Sequence, residues 1–243
     1  MSANKSAGVD EYQPLYFFTA NNGQAKIFMT ETLRHFEYGL SPAALLLLVL
    51  YHVHLYRKMR SDPMSTSLGL SRRTRVLWVH TIMDGKKDIL AIQTLRNWTM
   101  AATFLASAAI LIGLGIFNLA LTADKQGELS LLMGPFASGH PGLWTAKLIL
   151  LGIDFLFAFF SFTLAVRYFN HTGFMINLPC NASTDIDVED VVEILERGGT
   201  HYTLGMRAYY MTVPLALWLF GPLWLLAGTV LMIATLYRID RGV

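Results

Sequence analysis

The sequence predicts an all-α integral membrane protein: a four-helix bundle with an interfacial amphipathic helix between its first and second spans. Three observations carry that expectation. Of 243 residues, 53% are hydrophobic and 15% charged, whereas a soluble chain carries roughly 25% charged residues. The apolar residues fall in blocks long enough to cross a bilayer, and at those lengths lipid admits only helices. The basic residues gather in one connection: nine lie between Arg57 and Arg96, against Lys125 alone between Thr122 and Leu143.

Residues 1–40 are a polar lead without a cleavable signal peptide. Its second half, Ala25 to Tyr38, spaces Ile27, Phe28, Leu33 and Phe36 as an interfacial helix or a solvent-side cap. Residues 41–240 form one membrane domain. Ser41-Pro42 is a helix-start signal, and the first span runs over about 41–57. Ser71 is placed to cap a helix ending at Asp84-Gly85, with Arg75, Trp78, Val79, Ile82 and Met83 divided into polar and apolar faces. Asp88 then caps a long helix that is in the membrane over about 98–121. A glycine- and proline-rich loop leads to a third span, about 144–166. The acidic stretch Asp185 to Glu196 reads as a short helix stopped by Gly198, with Val188, Val191 and Leu195 on one face. The fourth span covers about 211–237, with Trp218 and Trp224 inside it.

The basic connection is expected on the cytoplasmic side. Four crossings then put both termini outside, in a multi-pass protein of a bacterial inner membrane. Arg238 and Arg241 run against that rule. The net charge of +2 gives no reason to expect nucleic acid, and the single Cys180 excludes an intrachain disulfide or a multi-cysteine metal site within one chain.

Several words in the chain match a known family. R-V-L-W-V (Arg75 to Val79) and L-A-I-Q-T-L-R-N-W-T-M-A-A-T-F-L-A (Leu90 to Ala106) resemble the domain-of-unknown-function 599 family of membrane proteins, found in bacteria and plants. So do G-M-R-A-Y-Y-M-T-V-P-L-A-L-W-L-F-G-P (Gly205 to Pro222) and, more loosely, V-R-Y-F-N-H (Val166 to His171). The similarity spans roughly Ser41 to Asp240. It implies a four-span protein and supplies no mechanism or site.

Two constellations are candidate sites. Arg57, Arg96, Arg167 and Arg207 fall at the cytoplasmic edge of the four spans. With Gln93, Asn97 and Tyr209 they suggest a cup for an anion or lipid headgroup, because a guanidinium pairs bidentately with phosphate or carboxylate. The plain alternative is anchoring, with arginines snorkelling to lipid phosphates or pairing with Asp84, Asp88 or Glu196. Second, Asp154 lies ~15 Å into the third span, near the middle of a ~30 Å core. Ser107 and the helix-breaking Pro222 reach about the same depth, as for a cation or proton site, unless a protonated Asp154 simply ties two helices together. His52, His54, His80, His171 and His201 include no His-x-x-x-His pair, so no haem, metal or other cofactor is expected. Nucleophilic catalysis finds no G-x-S-x-G word and no phosphate-cradling glycine loop. Asn181-Ala-Ser183 matches a glycosylation acceptor, discounted because it falls on the cytoplasmic side.

The expected function is a non-enzymatic homo-oligomer, or a subunit among other membrane proteins, with the bilayer as its first partner. Small residues (Ala101, Ala102, Ala106, Ala108, Gly113, Gly221 and Gly228) favour close helix contact, and the phenylalanines from Phe155 to Phe162 are expected to face lipid or a partner. The alternatives are a channel or transporter using Asp154 and, behind it, a haem or metal carrier.

Overall fold

A computed structural model describes residues 38–58, 61–62, 65–122, 141–178 and 186–240. Six α-helices are found among them: α1 (Tyr38–Lys58), α2 (Ser67–Asp84), α3 (Asp88–Leu121), α4 (Pro141–Met175), α5 (Val188–Leu217) and α6 (Pro222–Asp240). A 3₁₀ turn, Trp218–Phe220, joins the last two. The protein is an all-α bundle in which α1, α3, α4 and α6 are long and apolar enough to cross a membrane. Most of the polar lead, the loop after Thr122, Cys180 and the Asn181-Ala-Ser183 word lie outside the described residues.

Helix α4 is the centre of the bundle, with α3 on one flank and α5 on the other. The α3 seam is a ladder of small residues, Ala102, Ala106, Ala109 and Gly113, spaced so that they share a face. A Cβ on Gly113 would stand 3.2 Å from the Phe155 Cβ, so the missing side chain brings the two helices close. Of the small residues expected to favour close helix contact, Ala102, Ala106 and Gly113 are thus occupied by α4, while Ala101 is exposed. Likewise Phe155 and Phe162 are buried, while Phe157 and Phe160 remain exposed. Helix α1 packs through Leu48 and Tyr51 on Met232 and Leu236 of α6.

Helix α2 begins four residues before the expected Ser71. Thr66 caps it, its side chain accepting from the Gly69 backbone N–H at 3.2 Å. Its apolar stripe, Val79 and Ile82, lies on Val191 and Leu195 of α5 and on the lower parts of α3 and α4.

Two expectations about the last third of the chain are corrected. Gly198 does not stop the acidic helix: α5 runs on through it to Leu217. A Cβ there would meet the Phe169 ring at 2.7 Å, so Gly198 makes room for a neighbour instead of ending a helix. Nor is the apolar run 211–237 one span. It folds back on itself at Gly221, whose φ of 134° and ψ of 172° belong to a region essentially reserved for glycine. Pro222 then opens α6 at a position that needs no backbone N–H. The two arms are antiparallel: Gly228 abuts Pro214, and Arg207 meets Asp240.

Hydrogen bonds fix where this hairpin points. At its tip, Trp218 Nε1 donates to Ser41 Oγ at 2.9 Å, and Lys147 Nζ donates to the Trp218 carbonyl at 3.2 Å. The tip therefore sits with the starts of α1 and α4. At the other end, Tyr51 bonds Asp240 and Ser67 bonds the Ile239 carbonyl. Tyr38 and Asp240 accordingly lie at opposite ends of the bundle. Residues 200–217 of α5, ~27 Å of helix, run alongside α4 and antiparallel to α6. Arg238, an exception to the charge rule when placed with Tyr38, belongs to the basic end with α2.

Candidate anion-binding site

The basic end holds a cavity of about 570 Å³ between α1, α2 and α5. Helical spacing builds its walls. Arg72 and Arg75 are three apart on α2, His52 and Tyr56 four apart on α1, and Glu193, Arg197, Thr200, Leu204 and Arg207 recur every three or four residues along α5.

Most of its charges are paired. The Arg75 guanidinium grips Glu196 with both ends, Nε to Oε1 at 2.7 Å and Nη2 to Oε2 at 3.3 Å, and both side chains are largely buried. The fork lies where a side chain on residue 199 would be: a Cβ on Gly199 would stand 2.8 Å from Arg75 Cζ. Arg72 shares the same carboxylate at 3.4 Å from an exposed position. Glu193 bonds Arg197 one turn along α5 and holds that guanidinium above its usual pKa.

The deepest group is Arg207. Its Nη2 donates to Asp240 Oδ1 at 2.8 Å, and Tyr51 donates to the other carboxylate oxygen, also at 2.8 Å. The Arg207 and Asp240 side chains are 14% and 8% exposed, so the pair is largely dry. Arg207 Nη1 is buried and has no hydrogen-bond partner. A buried unsatisfied donor on a charged group is costly, and this one belongs to a side chain that lines the cavity. Around the cavity four guanidiniums meet three carboxylates (Glu193, Glu196 and Asp240), which leaves one positive charge in excess.

Of the residues read as a cup, the structure brings Arg207 here and Arg57 to a cavity beside it. Gln93, Arg96 and Asn97 are exposed on α3 and Arg167 is exposed on α4. Tyr209 points the other way, donating to the Leu105 carbonyl at 2.7 Å between the Phe155 and Phe162 rings. The midplane trio is not assembled either. Asp154 is half-buried and its Oδ2 has no partner, Ser107 is exposed on α3, and Pro222 stands at the end of the bundle. His52 and His201 both line the cavity, His201 stacked on Tyr168. Among the described residues no three His, Cys, Asp or Glu side chains converge as a metal site would require.

Sequence reasoning missed two charged groups. Lys147 is 1% exposed, its ammonium 5.0 Å from the centre of the Trp218 ring and bonded to the Trp218 carbonyl. Its one advance signal was position: it lies two helical turns before Asp154 on the same α4 face. Asp240 had no signal, because its partner is 33 residues away and only the reversal at Gly221 joins them.

Neither curated proteins nor solved structures provide a match. The chain matches the family model described as a protein of unknown function, DUF599, over residues 40–242, which takes in all six helices except the first two residues of α1. The chain belongs to the DUF599 family.

Proposed function

We propose that this multi-pass membrane protein binds an anionic group in the cavity between α1, α2 and α5. The observation that carries the reading is the Arg207 Nη1 donor, buried and unpartnered beside a cavity with one excess positive charge. A phosphate or carboxylate oxygen would satisfy it and neutralise that charge, and charge-assisted bonds of this kind are about twice as strong as neutral ones. The positive-inside rule assigns the basic end to the cytoplasm. Tyr38 then lies on the outer side and Asp240 on the inner side. The reading requires no second copy, although α3 and α1 keep apolar faces free for one. The test is a titration of the purified chain, held in amphipol, with inorganic phosphate. A saturable rise in the thermal midpoint is expected, at least tenfold weaker in Arg207→Lys, which keeps the charge but loses the fork. Arg96→Ala is expected to behave as wild type. Equal binding by wild type and a folded Arg207→Lys would overturn the reading.

A second reading, transport of a cation or proton, has one observation in its favour: the Asp154 Oδ2 buried without a partner. It demands an ion flux in proteoliposomes that Asp154→Asn abolishes. No flux from the wild type would remove it.

A further inference from the structure

We infer that the occupant of the cavity is the phosphodiester headgroup of a membrane phospholipid of net charge minus one, its acyl chain lying in an adjoining groove on α1. The inference rests on the anion reading above and names the ligand's class. A second, more open cavity of about 780 Å³ runs beside the first, walled by Leu48, Val49, Val53 and Met211 and bordered by Arg57 and Ser61. The two cavities share His52 and Tyr56. Val49 and Val53 are exposed on a helix long and apolar enough to cross the bilayer, so this groove opens toward hydrocarbon. The charged chamber is therefore reached along α1 from the lipid.

Each half of this arrangement excludes a simpler occupant. Lipid merely coating the bundle would fill the groove but leave Arg207 Nη1 and the excess charge unexplained. A small soluble anion would account for those but make no use of an apolar groove joined to the chamber. An amphiphile uses both, and a phosphodiester supplies negative charge where three carboxylates face four guanidiniums in the chamber and Arg57 borders the groove. His52 stands at the junction. Its Nδ1 lies 2.8 Å from the Leu48 carbonyl, which can only accept, so that nitrogen carries the hydrogen. Nε2 of the neutral ring is then an acceptor, open to a headgroup hydroxyl and not to a phosphate oxygen.

The experiment uses the full chain in amphipol and three probes: dihexanoylphosphatidylglycerol, its bare headgroup glycerophosphoglycerol, and uncharged dihexanoylglycerol. Half-saturation of the thermal shift by the short-chain phospholipid is expected at least a hundredfold below that of the bare headgroup. Val53→Trp, which fills the groove, should remove that advantage and leave headgroup affinity unchanged. Arg207→Lys should weaken both at least tenfold. If the bare headgroup binds as tightly as the phospholipid, the lipid inference is overturned and the anion site stands. If dihexanoylglycerol binds as tightly as the phospholipid, the groove holds annular lipid only and the inference is overturned. Should no probe bind in a way that depends on Arg207, both readings fall.

Discussion

Asp240 accepts hydrogen bonds from two other helices, from Arg207 on α5 and Tyr51 on α1, and so joins three elements at one buried carboxylate. Removing one member of such a pair leaves an uncompensated charge out of water, at a cost of about 3–5 kcal/mol, whereas replacing both by apolar groups is often neutral. Arg207→Met and Asp240→Leu are each expected to lose about that much stability in denaturant titrations of the purified protein. The double variant should recover most of it. Tyr51→Phe should lose less, about 1.5–3 kcal/mol for one bond to a charged acceptor. If the double variant is as unstable as the sum of the singles, the two side chains are not a coupled pair. At this scale the sequence was half legible. Arg207 was visible as a guanidinium at a membrane margin, and arginine chemistry pointed to an anion as the ligand to consider. Arg96 and Arg167 looked equivalent to it, because residue type and depth do not reveal which way a side chain turns around its helix.

Helix α5 shows why element boundaries were harder to read than element types. The acidic start, capped by Asp187 and Asp190, was legible from the helix dipole, and Val191 and Leu195 are buried as their spacing required. The end was misread because a glycine after a periodic run is usually a C-cap. Here Gly198 and Gly205, seven apart on one face, admit the rings of Phe169 and Phe162 from α4. A Cβ at Gly205 would stand 2.8 Å from the fully buried Phe162 ring. Gly205→Ala is therefore expected to lose about 1–3 kcal/mol by overpacking. The matched control is Gly115 on α3, whose Cβ would meet nothing within 4 Å. There alanine should gain up to about 1 kcal/mol from helix propensity. Opposite signs for the two substitutions in the same unfolding assay are the outcome to look for, and equal signs would contradict the α4–α5 seam. Gly221→Ala should lose about 1–3 kcal/mol from its backbone conformation alone.

For the whole molecule, composition and charge placement predicted a helical membrane bundle, and the bundle is there. The direction of its last part was hidden for a simple reason. The apolar run 211–237 is continuous in composition, so hydropathy cannot see a reversal made by a three-residue 3₁₀ turn. Two cues were present in the chain: the run is ~40 Å as a straight helix, longer than a ~30 Å core, and Gly221-Pro222 is a breaking dipeptide. The reversal places positions 38 and 240 at opposite ends of the bundle. In a Cys180→Ser background, single cysteines in place of Ser71 and Arg238 should react with an impermeant maleimide from one side of sealed vesicles. A cysteine in place of Tyr38 should react from the other side. Labelling of positions 38 and 238 from the same side would refute the hairpin.

The hairpin also sets an order of events during synthesis. Arg207 leaves the ribosome 33 residues before Asp240, an interval of roughly two to seven seconds at ~5–20 residues per second. Until Asp240 arrives the Arg207 guanidinium has no carboxylate to pair with, and a buried charge without its partner costs about 3–5 kcal/mol. For those seconds closing the basic end of the bundle is unfavourable. When α6 emerges and brings the carboxylate, the penalty is offset. The two arms are thus matched as a single folding unit, and the last turn of α6 decides when the basic end can close.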